Sequence, residues 1–180
     1  TWWMEGYACY FGDGFKFDRK GNLLIDIPRM RLNPIQQYIK QGMVPAKIPI
    51  SQFIRTGLQQ YQMQAGLTYP YGWALVYYFK KRGEVPVKGK KGVFENKPVK
   101  IKVDGKEREV NLSKVLDDFF KVISAKPPAG AGDPYNPQGA GDYFAKELDK
   151  LLGFPVDALA DDWKDFVLKL EAPSMGTIDK

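Results

Sequence analysis

The sequence contains no histidine among its 180 residues. This absence excludes a Ser-His-Asp triad, a Cys-His pair and any metal site that depends on imidazole ligands within the chain. Glutamate, aspartate, tyrosine and lysine remain as side chains that could take part in chemistry. The chain taken alone is therefore not expected to be a working histidine-dependent hydrolase.

Cysteine and long apolar runs are also scarce. The single cysteine, Cys9, excludes an internal disulfide framework, and we interpret it as a small buried core residue rather than a nucleophile. No apolar run approaches the roughly 18–20 residues that a membrane-spanning helix needs. The sequence therefore predicts no membrane span, and it does not fix the compartment.

The composition itself is typical of a globular protein. Hydrophobic residues make up 44% of the chain, and the aromatic share of 14% indicates either a dense helical core or an aromatic-lined cleft. The net charge of +6 is modest and favours solubility. Because we find no internal repeat and no convincing boundary, we predict one domain over 1–180. Its parts are a helical region (1–83), a basic loop and hairpin insertion (84–110) and C-terminal helices (111–180).

Periodicity predicts a mainly α fold with one or two β-hairpins. One hairpin is expected at 15–27, and residues 84–97 and 127–141 are expected to be an exposed connection and a loop. We expect a proline at the first helical position (Pro34), and Asp142 and Asp157 as helix caps. Helices are predicted at 2–11, 34–41, from about 51 to 61, from about 69 to 82, and at 111–124, 142–152 and 157–170.

A second hairpin at 98–110 has the clearest local signal. Val99, Ile101 and Val103 alternate with lysines, and Asp104-Gly105 is the two-residue sequence typical of a type I′ turn. In that register Lys100 faces Glu109 and Lys102 faces Glu107. The outer face of this hairpin is therefore predicted to pair opposite charges.

Glu5 is the first candidate for chemistry, because it is the only charged residue between Thr1 and Gly12. An unpaired buried carboxylate costs several kcal/mol, so Glu5 should have a partner. One explanation is a glutamate in the first helical turn, satisfied by backbone N–H groups and the helix dipole. The other is a role as a metal ligand.

The residues around Glu5 resemble a motif of zinc peptidases. Residues 3–11, Trp-Met-Glu-Gly-Tyr-Ala-Cys-Tyr-Phe, are similar to the W-x-x-E-G-x-A-x-Y-F segment of gluzincin metallopeptidases, most closely to uncharacterised bacterial families of that clan. The resemblance implies that Glu5 is the third zinc ligand and that Gly6 allows backbone or substrate to approach. The two histidine ligands would come from an H-E-x-x-H helix before Trp2, which this chain lacks.

A second segment resembles the same clan. Residues 69–78, Tyr-Pro-Tyr-Gly-Trp-Ala-Leu-Val-Tyr-Tyr, are similar to the Y-x-x-G-x-A-L-x-x-Y segment of its aminopeptidase branch. By this resemblance Tyr69, or alternatively Tyr71, donates a hydrogen bond to the oxyanion of the tetrahedral intermediate. The chain would then be the C-terminal part of an exported zinc metallopeptidase that acts on peptides. Zinc is expected in the intact parent protein and not in this chain alone.

Two further functions stay open. The fold could have lost its metal and serve as a non-catalytic scaffold that binds a peptide or a glycan. Alternatively, the region 88–108 could be a basic interaction module. Acidic residues interleave with its lysines and no aromatic platform accompanies them, so a solvated face is favoured over a nucleic-acid surface. The basic residues are Lys88, Lys90, Lys91, Lys97, Lys100, Lys102, Lys106 and Arg108.

Overall fold

The computed structural model describes residues 2–17, 23–25, 27–90, 92–125 and 137–172, and these form a mainly helical fold with small hairpins. The predicted fold class is therefore confirmed. None of the helices in these ranges combines the length and apolar content needed to cross a membrane. The α-helices are α1 (Trp2–Gly12), α2 (Arg29–Lys40), α3 (Ile50–Ile54), α4 (Leu58–Met63), α5 (Ala65–Lys81), α6 (Leu112–Ser124), α7 (Pro137–Leu152) and α8 (Ala160–Lys169).

Three two-stranded antiparallel sheets lie among the described residues. The first confirms the predicted hairpin at 15–27, although its turn at 18–22 lies outside the described residues. The second shows that 84–97 is more than an exposed connection, because its two ends pair. The strands are β1 (Phe15–Phe17) with β2 (Leu23–Ile25), β3 (Glu84–Pro86) with β4 (Phe94–Asn96), and β5 (Val99–Val103) with β6 (Lys106–Val110).

The β5–β6 hairpin follows the sequence prediction closely. Asp104 and Gly105 both have positive φ, 48° and 77°, as a type I′ turn requires. Lys100 pairs in register with Glu109, and Lys102 with Glu107. The alternating valine and isoleucine side chains of β5 are buried, so one face of the hairpin covers the core and the other is charged.

Helix α5 is the centre of the core. Trp73, Ala74, Leu75 and Val76 are consecutive and have no exposed surface, so this helix is enclosed on all sides. Helices α1, α2, α6 and α8 all pack on it. The same hydrophobic cluster takes in the inner face of the β5–β6 hairpin.

Two helices begin earlier than their prolines indicate. Helix α2 begins at Arg29, with Pro28 as its N-cap, and Pro34 lies inside the helix. Helix α5 begins at Ala65, with Pro70 inside. In α2 the buried stripe already starts at Leu32, so packing against α5 extends the helix one turn before the proline.

The region predicted as one helix from about 51 to 61 is interrupted. Helix α3 ends at Ile54 and α4 begins at Leu58, with Gly57 as the extended N-cap of α4. The break turns the chain so that Phe53 and Tyr61 both enter the core, with ring centroids 5.8 Å apart. Packing of both side chains therefore overrides the local helical period.

Two predicted caps have other roles. Asp157 lies in a 3₁₀ turn (Val156–Leu159) before α8, and its carboxylate accepts hydrogen bonds from the backbone N and Oγ of Ser51, at 2.8 and 2.5 Å. It therefore serves the start of α3. Asp142 lies within α7, which begins at Pro137 inside the segment predicted as a loop, and it accepts from Nε of Arg55 at 2.6 Å.

Candidate functional site at the contact of two helices

Helices α1 and α5 approach each other through a pair of glycines. A Cβ on Gly6 would lie 2.6 Å from the carbonyl oxygen of Gly72 and 2.8 Å from a methyl group of Val76. A Cβ on Gly72 would lie 2.5 Å from the Tyr61 hydroxyl oxygen and 3.3 Å from the carbonyl oxygen of Trp2. Gly6 thus permits close approach of backbone from α5, one of the two roles expected for it.

This contact brings together the two residues that the motifs single out. Glu5 immediately precedes Gly6, and Tyr69 lies one turn before Gly72 on the face of α5 that meets α1. The negative charge of Glu5 and a side-chain hydrogen bond with it raise the pKa of Tyr69, in addition to the effect of burial. The carboxylate and the hydroxyl therefore share one local environment, although they are far apart in sequence.

Glu5 is only partly buried. It is more exposed than Trp2 and Cys9, which lie in the core, and less exposed than Met4 and Ala8. Met4 and Ala8 face a groove on another side of α1.

A cation lies beside the pair, and sequence reasoning missed it. The guanidinium carbon of Arg31 is 5.4 Å from the centroid of the Tyr69 ring. Its Nε donates a 2.6 Å hydrogen bond to Oδ2 of Asp13, just beyond the end of α1. The sequence indicates a place for Arg31 beside this contact only if α2 begins before Pro34, because Arg31 then lies in the first turn of that helix.

Cys9 lies one turn after Glu5 on α1 and is 5% exposed. Burial raises the pKa of its thiol to about 12, with Arg31 opposing the shift and Asp13 and Glu5 adding to it, so the thiol is protonated at neutral pH. Because the thiolate is the reactive form, the structure supports the interpretation of Cys9 as a core residue.

Tyr61 and Thr68 hold the start of α5 in place. The Tyr61 hydroxyl donates to the Thr68 carbonyl oxygen at 2.8 Å, and the Thr68 hydroxyl donates to the Tyr61 carbonyl oxygen at 2.6 Å. The rings of Tyr61 and Tyr69 meet edge to face, with centroids 5.1 Å apart. These contacts restrict the position of the Tyr69 ring.

Tyr71, the alternative to Tyr69, occupies a different place. It has no exposed surface, its ring stacks on Phe53 at 4.3 Å, and its hydroxyl donates to the carbonyl oxygen of Ile48 at 3.2 Å. Its hydroxyl is therefore committed to the core, and Tyr69 is the better placed of the two candidates.

The metal-ligating capacity of the site is limited. Among the described residues, no group of three or more His, Cys, Asp or Glu side chains is arranged to hold a metal ion. Glu5 offers one partly exposed carboxylate, which suits a single ligand position. Zinc sites use three or four protein ligands, so the part of the chain that the structure describes does not form such a site by itself.

A second surface feature lies on another face of α1. It is an open, largely apolar groove of about 670 Å³ between α1 and α6. Met4 and Phe11 line it and are 57% and 46% exposed. An ion pair between Lys80 and Asp117, 2.5 Å from N to O, lies at its edge. The remaining large side chains are Trp3, Tyr7 and Phe120.

The basic region gives little sign of a binding surface. The described lysines at 88, 90, 97, 100, 102 and 106, and Arg108, are exposed, and Lys91 lies outside the described residues. Some pair with carboxylates in the same region, as Lys97 does with Glu95 and Lys100 with Glu107, both at 3.0 Å. The geometry fits the favoured interpretation of a solvated face.

Comparisons with protein-family models, with curated proteins and with solved structures gave no match. Any assignment of function to Glu5 and Tyr69 therefore depends on their motifs and on the geometry of the α1–α5 contact.

Proposed function

We propose that this chain is the C-terminal part of a gluzincin-like zinc metallopeptidase, in which Glu5 is the third zinc ligand and Tyr69 stabilises the oxyanion. The observation that carries the proposal is the close α1–α5 contact, at which Glu5 immediately precedes Gly6 and Tyr69 lies one turn before Gly72. The two motifs lie 64 residues apart in sequence (69 − 5), and the helices that carry them pack on each other.

The chemistry fits the positions of both groups. A zinc ion held by two histidines and Glu5 would polarise the substrate carbonyl and lower the pKa of a bound water. Tyr69 is suited to donate to the developing oxyanion because a tyrosine hydroxyl is uncharged at neutral pH and can donate a hydrogen bond. The backbone contact of Gly6 with Gly72 keeps the two helices, and hence the two side chains, at a fixed separation.

The proposal needs groups that this chain does not contain. A histidine pair and a catalytic glutamate on an H-E-x-x-H helix would come from another part of the same protein. The isolated chain is expected to hold no stoichiometric zinc after dialysis against a mild chelator. Retention of zinc by the isolated chain would contradict the assignment of Glu5 as one ligand among several.

The experiment uses the intact protein that contains this chain. Purified wild type should hold one zinc per molecule and hydrolyse peptides. Glu5→Gln should lose zinc and activity together, whereas Tyr69→Phe should keep zinc and lose activity by roughly 10²–10³-fold, as removal of an oxyanion donor does elsewhere.

Matched controls separate these effects from damage to the fold. Glu147→Gln and Tyr143→Phe make the same chemical changes on α7, away from the α1–α5 contact, and should leave zinc content and activity unchanged. A Glu5→Gln protein that keeps its zinc, or an intact protein with no H-E-x-x-H sequence, would overturn the proposal.

The apolar groove favours a second candidate, a non-catalytic scaffold that binds a peptide. Exposed Met4 and Phe11 beside partly buried aromatic side chains offer a surface for an apolar peptide segment. This candidate predicts that Met4→Ser weakens peptide binding while Glu5→Gln and Tyr69→Phe do not. The peptidase proposal predicts the opposite, namely that Glu5→Gln and Tyr69→Phe impair function and Met4→Ser does not.

A further inference from the structure

Arg31 connects three elements at the edge of the Glu5–Tyr69 site. It lies in the first turn of α2, which packs along α5. Its Nε is bound by Asp13, whose backbone N–H in turn donates to the Cys9 carbonyl oxygen at 3.1 Å, so Asp13 is fixed at the end of α1. The side chains of Arg31 and Asp13 are 19% and 23% exposed, so the pair is mostly covered.

The guanidinium of Arg31 also lies close to the ring of Tyr69. Its carbon lies 5.4 Å from the ring centroid, within the range of a cation–π interaction. Tyr61 contacts the same ring edge to face, with centroids 5.1 Å apart. The ring is thus held by an arginine of α2 and a tyrosine of α4, while its hydroxyl interacts with Glu5 of α1.

We propose that Arg31 is a positioning residue for Tyr69, held in place by Asp13, and that its guanidinium fixes the ring. This inference rests on the proposed function, because it concerns the hydroxyl assigned to the oxyanion. Arginine suits the task because its guanidinium stays protonated and its planar fork stacks on aromatic rings. Lysine would retain the charge and lose the planar fork.

The test is NMR at neutral pH of the chain labelled on its tyrosine rings with ¹³C, with the Tyr69 resonances assigned by their loss in Tyr69→Phe. Arg31→Gln should displace the ring resonances of Tyr69. Arg31→Lys, which keeps the charge and loses the planar fork, should not restore them. Asp13→Asn, which weakens the hold on Arg31, should also displace the ring resonances.

Tyr78 serves as the internal reference, because its hydroxyl donates to Asp162 at 2.8 Å and its contacts do not include Arg31. If the Tyr78 resonances are unchanged and Tyr69 keeps its wild-type ring shifts in Arg31→Gln, the proposal is wrong. If Arg31→Gln does not fold, unchanged Tyr69 ring resonances in both Arg31→Lys and Asp13→Asn would overturn it.

The two proposals fail separately. The zinc assignment fails when the intact protein keeps its metal after Glu5→Gln, a result that does not involve Arg31. The positioning role fails when Tyr69 does not respond to Arg31, a result obtained with this chain and without zinc.

Discussion

The α1–α5 contact and the β5–β6 hairpin distribute charge in opposite ways. At the contact, one carboxylate and one guanidinium approach Tyr69 from different helices and are largely covered by protein. On the hairpin, lysines and glutamates alternate on an exposed face, and Lys100 and Glu107 are 63% and 69% exposed where they pair.

The difference indicates where electrostatic effects are strong. Water screens the exposed charges of the hairpin, so each pair there contributes little and is easily replaced. At the contact, the groups are partly shielded from water, and burial together with neighbouring charges alters the pKa of Cys9 and Tyr69. The basic region holds more charge, but the site with few charges is the better candidate for chemistry.

Cysteine labelling should give the largest contrast between the two regions. At pH 8 Cys9, with a pKa raised to about 12, should carry roughly a thousandfold less thiolate than a cysteine at the usual value of about 8.5. We therefore expect iodoacetamide to modify Cys9 roughly a thousand times more slowly than a cysteine introduced by Lys102→Cys on the hairpin. Mass spectrometry follows both sites in one protein, and comparable rates would show that the contact is open to solvent.

Close packing at the contact predicts the next largest effect. In Gly6→Ala the new methyl group would lie 2.6 Å from the Gly72 carbonyl oxygen, so the two helices must separate. Overpacking of this kind costs about 1–3 kcal/mol of unfolding free energy, which urea denaturation can measure.

Gly12→Ala is the matched control for Gly6→Ala. Nothing lies within 4 Å of the added methyl group at the end of the same helix. Its stability should stay close to that of wild type. An equal loss in both variants would mean that the glycines matter for the helix and not for the α1–α5 contact.

The smallest effect is expected on the hairpin. Lys100→Ala removes an exposed ion pair with Glu107, and the urea midpoint should not change beyond measurement error, at low or at high salt. A salt-dependent loss of stability would show that this face is organised more tightly than its exposure indicates.

The β5–β6 hairpin and the α1–α5 contact also differ in how well they could be predicted from the sequence. The β5–β6 hairpin was predictable in register because its signals are local: two turn residues that accept positive φ and alternating side chains. Glu5 and Tyr69 could be named because both lie in motifs. Arg31 and Asp13 could not, because their roles arise from the packing of α2 beside α1 and α5.

Proline shows why helix starts were less predictable. Pro34 and Pro70 are each the sixth residue of their helix, so neither marks a beginning. Asp157 was expected to cap its own helix and instead binds the start of α3, 106 positions earlier in the chain. Where a helix begins, and which helix start a carboxylate binds, depends on which elements become neighbours in the fold. The residues next to each position in the sequence do not determine this.

The interaction between Glu5 and Tyr69 is tested most directly by titrating Tyr69 in the Glu5→Gln variant, using the same ¹³C label on the tyrosine rings. Burial and then the Glu5 carboxylate raise the pKa of the Tyr69 hydroxyl, so neutralising Glu5 should lower the Tyr69 midpoint while the Tyr78 resonance, whose hydroxyl donates to Asp162, is unchanged. An unchanged Tyr69 midpoint in a folded variant would show that the two groups do not share a site, and would contradict the account.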